Sequence, residues 1–248
     1  MPNNDPFRRQ VGWITVLSGI VGFISYFLVA GAVSFNFDFF SNPVLIFSIP
    51  DVHIGMLRWS MIADVFGYYL LLLPALYFIH EWLRNRTAWK NLITFCGAAY
   101  ILIGAVGASI LSATWTAFLV KYPISPPEQQ ETLKLLFESF SLMVGNGMWN
   151  LFDTLVAGVW MTGIGIFIQR EKSLLGWLTI VLGVISLFDG LGNILELRIV
   201  ADIAVNLYLI LAPAWAIYLG VSIVKGSLTN HVFENGYSEH ARDSSYSC

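Results

Sequence analysis

Six long apolar runs dominate the chain, and short polar stretches separate them. Each run has about the 20 residues that a helix needs to cross the hydrocarbon core of a bilayer. Unpaired backbone groups are costly in lipid, so runs of this length are expected to be helical throughout. We therefore predict an all-α, polytopic membrane protein, a bundle of six transmembrane helices with spans at about 11–34, 57–82, 91–120, 145–169, 173–197 and 200–224.

A further helix is predicted between the third and fourth runs, at about 126–143. Ser125 followed by Glu128 resembles a capping box at its start. Leucine and phenylalanine then recur at helical spacing, at positions 133, 136, 137 and 140. This pattern is typical of an amphipathic helix at the membrane surface. The aromatic, proline-punctuated stretch 35–56 is interpreted as an interfacial loop.

Both ends of the chain are polar. We predict a cytoplasmic N-terminus at 1–10, a transmembrane domain at 11–225 and a disordered cytoplasmic tail at 226–248. The first apolar run has a competing interpretation as a signal peptide, because arginines precede it and a small-residue, cleavage-like sequence lies at 30–32. The run exceeds the roughly 7–15 residues of a signal-peptide core, which favours a retained helix.

Composition agrees with a membrane location. The chain is 56% hydrophobic and only 12% charged, whereas soluble domains average roughly 25% charged residues. The formal charge of −3 argues against a nucleic-acid partner, which would need a basic face. Cys96 and Cys248 lie far apart, so no disulfide framework is expected. The bilayer is the first partner that we predict.

Lysine and arginine divide unevenly between the two sides of the predicted membrane. With six spans both termini share one side, and that side collects nine of the 13 basic residues: Arg8, Arg9, Arg84, Arg86, Lys90, Arg170, Lys172, Lys225 and Arg242. The other side has Arg58, Lys121, Lys134 and Arg198. By the positive-inside rule we predict a plasma-membrane protein with both termini in the cytoplasm.

Polar residues recur within the apolar runs at helical spacing. Two triplets have the spacing i, i+4, i+7, which places three side chains on one face of an α-helix. They are Asn146, Asn150 and Asp153 in the fourth span, and Asp189, Asn193 and Glu196 in the fifth. Asp64 in the second span and Asp202 and Asn206 in the sixth fall at similar depth. We predict that these nine residues line a polar pocket that opens to the non-cytoplasmic side.

Carboxylate and amide oxygens favour hard cations or ammonium groups over soft metals. Several close carboxylates cannot all stay ionised in low dielectric, which suits proton transfer or the binding of a neutralising cation. Each residue also has a structural interpretation: Glu196 and Asp202 as solvated loop charges beside Arg198, and Asp153 and Asp189 as hydrogen-bonding links between helices. Asp64 is expected to find its partner on another helix. Asp51 with His53 is too weak a signal for a metal site, and no motif indicates a cofactor.

Small residues mark two faces for close helix packing. Gly104, Ala108 and Ser112 in the third span predict a face for a helix-packing partner. A second stripe, at Gly176, Gly183 and Gly190, lies in the fifth span.

The chain also resembles a family of uncharacterised bacterial six-helix membrane proteins, over roughly residues 10–225. The motifs that carry the resemblance are MLRWSMIAD at 56–64, LY at 76–77, LR at 83–84, GVW at 158–160 and LLGW at 174–177. The resemblance implies a six-helix bundle in a bacterial-type plasma membrane. It implies no activity, so no functional residue is transferred from the family.

Three functions remain open from the sequence. The first is binding or transport of a small cation or a polar, amine-bearing solute by Asp64, Asp153 and Asp189. The second is a membrane-embedded acid/base enzyme, such as an isomerase or cyclase, acting on a lipid-like substrate. The third is a structural subunit of a larger membrane complex.

Overall fold

The computed structural model describes residues 6–36, 39 and 42–228, and within them every regular element is helical. Six helices are long and apolar enough to cross a membrane, which confirms the predicted fold class: Pro6–Ala32, Ile54–Trp82, Lys90–Ile124, Pro127–Glu171, Ser173–Ile194 and Arg198–Val224. We call these the first to sixth spans. The predicted tail beyond residue 228, with Cys248, and residues 1–5 lie outside the described residues.

Three spans are composite. The second runs as Ile54–Asp64, a π-helical segment Val65–Tyr69, a 3₁₀ turn Leu70–Leu72 and the helix Leu73–Trp82. The third is the helix Lys90–Lys121 with a 3₁₀ turn Tyr122–Ile124. The fourth runs as Pro127–Leu142, a π-helical segment Met143–Asp153 and the helix Thr154–Glu171. A separate 3₁₀ helix covers Pro43–Ser48.

The break in the second span has a local cause. Pro74 lies in the first turn of the helix Leu73–Trp82, and it has no N–H to donate to the carbonyl one turn earlier. The π-helical segment and the 3₁₀ turn immediately before it take up this interruption, as expected where proline disturbs a helix.

The amphipathic helix is present as Pro127–Leu142 and continues into the fourth span. Its apolar side packs on the last turns of the third span. The Phe137 ring stacks on Trp115 with 6.0 Å between centroids, and Phe140 lies 5.9 Å from Phe118. Trp115 also donates its indole N–H to the Ser141 hydroxyl at 2.7 Å. The third and fourth spans therefore form an antiparallel helical hairpin.

The six spans form a closed ring in chain order, since each packs against the next and the first packs against the sixth. Glycines allow the closest approaches. A Cβ on Gly12 would lie 2.8 Å from the carbonyl oxygen of Gly220, and one on Gly183 would lie 2.9 Å from that of Gly158. The predicted stripe in the fifth span is confirmed, because Gly176, Gly183 and Gly190 all face residues of the fourth span.

The prediction of a partner surface at Gly104, Ala108 and Ser112 is wrong. A Cβ on Gly104 would lie 1.8 Å from a ring carbon of Tyr69, so that ring already fills the space that the glycine leaves. Ala108 is fully buried, and the Ser112 hydroxyl donates to the carbonyl of Ser109 at 3.0 Å. A small-residue pattern indicates close packing, but it does not tell whether the neighbour belongs to the same chain.

Two apolar clusters divide the interior along the membrane normal. We call the end where the first span begins and the sixth ends the terminal end, and the opposite one the far end. The larger cluster extends from the terminal end to the middle and contains Trp82, Trp160 and Trp215. The smaller cluster lies at the far end around Trp115 and Phe137. Asp64 and Asp153 fall between residues of the two clusters along their spans.

Candidate functional site: a buried carboxylate cluster

Asp153 is the most enclosed acidic side chain of the site. It is the last residue of the π-helical segment Met143–Asp153, and only 6% of its surface is exposed. Its Oδ1 atom is buried and has no hydrogen-bond partner among the described residues. A buried carboxylate oxygen without a partner is costly, so this atom marks a place where a donor is missing.

Asp64 stands at the other π-helical segment. It is the last residue of the helix Ile54–Asp64 and directly precedes Val65–Tyr69. It lies beside Ser25 of the first span, whose hydroxyl donates to the carbonyl of Ser60 at 2.9 Å. The expectation that Asp64 has its partner on another helix stays a prediction.

Asp189 is 3% exposed and lies near the end of the fifth span. The Asn193 amide, one turn later, donates to its Oδ1 at 2.8 Å and to its carbonyl oxygen at 2.9 Å. Asp189 is therefore partly satisfied within its own helix, unlike Asp153.

The three aspartates lie near one another. Asp153 is close enough to both Asp64 and Asp189 for electrostatic interaction. Among the described residues, the ion pairs all join other side chains, so no lysine or arginine neutralises this cluster. Also within the described part of the chain, no group of three or more His, Cys, Asp or Glu could hold a metal ion. The three carboxylates thus influence one another electrostatically, but they do not form a group that could hold a metal ion.

Tyrosines surround the cluster, and the sequence analysis did not include them in the site. Tyr69, Tyr100 and Tyr208 all lie within electrostatic range of Asp153. The Tyr100 hydroxyl donates to the carbonyl of Tyr68 at 3.2 Å. The Tyr208 hydroxyl is near Tyr100, Asp153 and Asp189, yet it is buried without a hydrogen bond of good geometry to any described residue. The available signal was tyrosine in the middle of spans, away from the interfaces where this residue is enriched.

The fourth-span triplet does not share one helix face. Asn146 is exposed, Asn150 is half-buried and Asp153 is buried. The cause is the π-helical segment, whose i→i+5 hydrogen bonds change the angular spacing on which the i, i+4, i+7 rule depends. Exposure instead falls stepwise from the far end toward the middle of the span.

The fifth-span triplet shows the same gradient for a different reason. Asp189 is buried, Asn193 is half-buried and Glu196 is exposed. The helix ends at Ile194, and Glu196 has a positive φ of 56° in the turn that follows. Glu196 therefore does not share the face of Asp189.

The two sixth-span residues lie outside the buried cluster. Asp202 and Asn206 are both exposed, and the Asn206 amide donates to the carbonyl of Asp202 at 2.7 Å. Asp202 is near enough to Asp189 for electrostatic interaction. The structure thus brings Asp64, Asp153 and Asp189 together, with exposed polar groups around them toward the far end.

No protein-family model matches the chain, and neither a curated protein nor a solved structure matches it. The family suggested by the sequence motifs is therefore not identified. What stands is an integral membrane protein of six spans, in contact with the bilayer, with buried aspartates in its interior.

Proposed function

We propose that the protein binds, and carries across the membrane, a small polar solute with a protonated amine, held by Asp153 inside the bundle. The observation that carries this proposal is the buried Oδ1 of Asp153, which lacks a donor in a cluster that has no cationic side chain among the described residues. An ammonium group supplies both the missing N–H donor and the missing positive charge.

Two features favour an ammonium group over a bare inorganic ion. The carboxylates are not arranged to coordinate one metal ion together, whereas an ammonium group on an organic solute needs one close carboxylate and tolerates others farther away. Tyr69 and Tyr100 border Asp153 with their rings 5.3 Å apart. Aromatic faces attract cations, most strongly where water is excluded.

The exposure gradients of the fourth and fifth spans support access from the far end. Asn146 and Glu196 are exposed at the far ends of the two spans that hold buried Asp153 and Asp189. We propose that this end faces away from the cytoplasm, in a plasma membrane, with both termini inside, because basic residues concentrate at the terminal end. The spans at 11–225 then form one transport domain.

Binding is testable with the purified full-length chain in lipid nanodiscs. We would titrate methylammonium, ethanolammonium and tetramethylammonium chlorides, and sodium chloride, at constant ionic strength, and record the thermal unfolding midpoint. A ligand of the native state raises this midpoint in proportion to RT ln(1 + [L]/Kd). We expect at least one primary ammonium to stabilise the wild-type protein beyond the sodium reference.

Asp153→Asn keeps the shape of the side chain and removes its charge. Loss of one partner of a buried charge pair typically weakens binding by about 2–5 kcal/mol, which is roughly 30-fold or more in Kd. The matched control is Asp51→Asn, since Asp51 is exposed in a loop with a φ of 55° that asparagine also accepts. Equal ammonium affinity in Asp153→Asn and wild type would refute the proposal.

The structural interpretation makes a different prediction. If the aspartates only join helices, Asp153→Asn lowers the yield or the unfolding midpoint of the ligand-free protein, and no ammonium ion stabilises the wild type. The binding interpretation is supported if an ammonium ion stabilises the wild type and the ligand-free Asp153→Asn variant keeps the wild-type unfolding midpoint.

A further inference from the structure

Side chains of the first and second spans line an apolar groove, and several of them, such as Ile24, Trp59 and Phe66, are exposed on the surface of the bundle. The volume of the groove is about 570 Å³, which is within the roughly 300–1,000 Å³ of small-molecule sites. Eight residues line it: Ile24, Leu28, Gly55, Met56, Trp59, Ile62, Ala63 and Phe66. None of these side chains carries a charge, and the groove opens sideways, where a membrane protein meets lipid tails.

The length of the groove matches one leaflet of a bilayer. At 1.5 Å per residue, the stretch of the second span from Gly55 to Phe66 is about 16 Å long. The hydrocarbon core of a bilayer is about 30 Å thick, so the groove extends through about half of it. A lipid acyl chain that begins at the interface has this reach.

A positive charge stands at the interfacial end of the groove. Arg58 is exposed, and it lies one turn from both Gly55 and Ile62 on the helix surface, so it borders the lining of the groove. Arg58 takes part in no ion pair with another described residue. Trp59 beside it is 62% exposed, as is typical of tryptophan at the headgroup level.

We propose that this groove is a specific phospholipid site, with one acyl chain along the lining residues and the phosphate on the guanidinium of Arg58. Arginine suits a phosphate because its planar donors bind two oxygens at once. The long side chain reaches the headgroup level while its stem covers apolar surface. The occupant is a glycerophospholipid of the far-end leaflet.

This site is separate from the carboxylate cluster. Ala63 and Phe66 line the groove on the outside of the second span, whereas Asp64 faces Ser25 of the first span. The lipid proposal therefore does not depend on the ammonium proposal, and either one can fail alone.

Native mass spectrometry of the full-length, delipidated chain tests the site. We would titrate phosphatidylglycerol and, in parallel, diacylglycerol with the same acyl chains, which lacks the phosphate. The wild-type chain should bind one phosphatidylglycerol molecule tightly. Further phosphatidylglycerol molecules should bind more weakly and without reaching saturation. Diacylglycerol should bind about tenfold more weakly, because a hydrogen bond to a charged group accounts for about that factor.

Two variants separate the halves of the site. Gly55→Leu fills the groove, and a Cβ at Gly55 meets no atom within 4 Å, so the fold has room for it. Arg58→Gln removes the phosphate contact. Each should weaken the first phosphatidylglycerol about tenfold or more. The controls are Ala117→Leu and Lys121→Gln, which add a leucine and remove a positive charge at exposed positions of the third span away from the groove.

The fold of a variant is intact if its unfolding midpoint without lipid lies within about 3 °C of the wild-type midpoint. Tight first-lipid binding by either Gly55→Leu or Arg58→Gln would overturn the proposal. An equal loss of phosphatidylglycerol affinity in the two control variants would overturn the proposal as well. It would show that lipid affinity depends on surface changes anywhere on the protein and not on this groove.

Discussion

Gly67 lies where the backbones of the first two spans come close together, in the π-helical segment that follows Asp64. A Cβ at this position would lie 2.4 Å from the backbone nitrogen of Gly22 and 2.7 Å from its Cα. Ser18 of the first span also donates its hydroxyl to the carbonyl of Gly67. The substitution Gly67→Ala therefore places a methyl group against backbone, which has no rotamer with which to move away.

The size of the effect follows from these distances. Non-bonded heavy atoms prefer separations of about 3.5–4.0 Å, so the two spans must move apart by about 1 Å. Overpacking a tight interior typically destabilises by about 1–3 kcal/mol, and contact with rigid backbone points to the upper value. Alanine also gains about 1 kcal/mol over glycine in helix propensity. The net loss should be about 2 kcal/mol.

The assay is thermal unfolding of the purified chain in one detergent, followed by circular dichroism. For a chain of this size 1 kcal/mol corresponds to about 2–4 °C, so the Gly67→Ala midpoint should fall by about 4–8 °C. Gly55→Ala is the matched control, because a Cβ there meets no atom within 4 Å. Its midpoint should stay level or rise, since only the propensity gain applies.

The comparison is decisive because the unfolding midpoint should fall in Gly67→Ala but stay level or rise in Gly55→Ala. A Gly67→Ala midpoint at or above that of wild type would show that the first two spans do not touch backbone to backbone at Gly22. The placement of the π-helical segment beside Asp64 would then be wrong as well.

Two further predictions concern contacts at the ends of the bundle. Trp115→Phe removes the indole N–H that donates to buried Ser141, and it should lower the free energy of unfolding by about 2 kcal/mol in a denaturant titration. The control Trp89→Phe, at a side chain 67% exposed, should leave the free energy of unfolding unchanged. Equal effects of the two substitutions would refute the role of this hydrogen bond. Arg86 and Glu171 pair at 2.6 Å with side chains about a quarter exposed, so a double-mutant cycle with Arg86→Gln and Glu171→Gln should give a coupling of about 1 kcal/mol that weakens with added salt. A coupling that is zero at low salt would contradict this pairing.

Apolar run length was sufficient to predict the six spans, because lipid leaves a long apolar segment few alternatives to a helix. The stripe at Gly176, Gly183 and Gly190 was also predictable as a packing face, since small residues at regular spacing allow backbones to approach. The identity of the neighbour was not predictable. Gly104 receives Tyr69 of the same chain, and that pairing depends on the order of helices around the ring.

The site was predictable only in part. Buried acidic residues could be found because they interrupt apolar runs, and Asp64, Asp153 and Asp189 do lie near one another. The π-helical segments could not be found, since apolar sequence suits α and π pairing alike and tertiary packing decides between them. That change of register separates exposed Asn146 from buried Asp153, although an ideal α-helix would place both on one face.

The order of spans around the ring has a consequence for biogenesis. Every neighbouring pair except one joins segments that leave the ribosome consecutively, and only the first and sixth spans meet across the whole length of the chain. Docking can therefore proceed step by step during synthesis, as domains commonly fold from the N-terminus. Ring closure must wait for Arg198–Val224, so a nascent chain stalled before that helix would expose the face of the first span that packs against the sixth, at Gly12 and Gly19, to quality-control machinery.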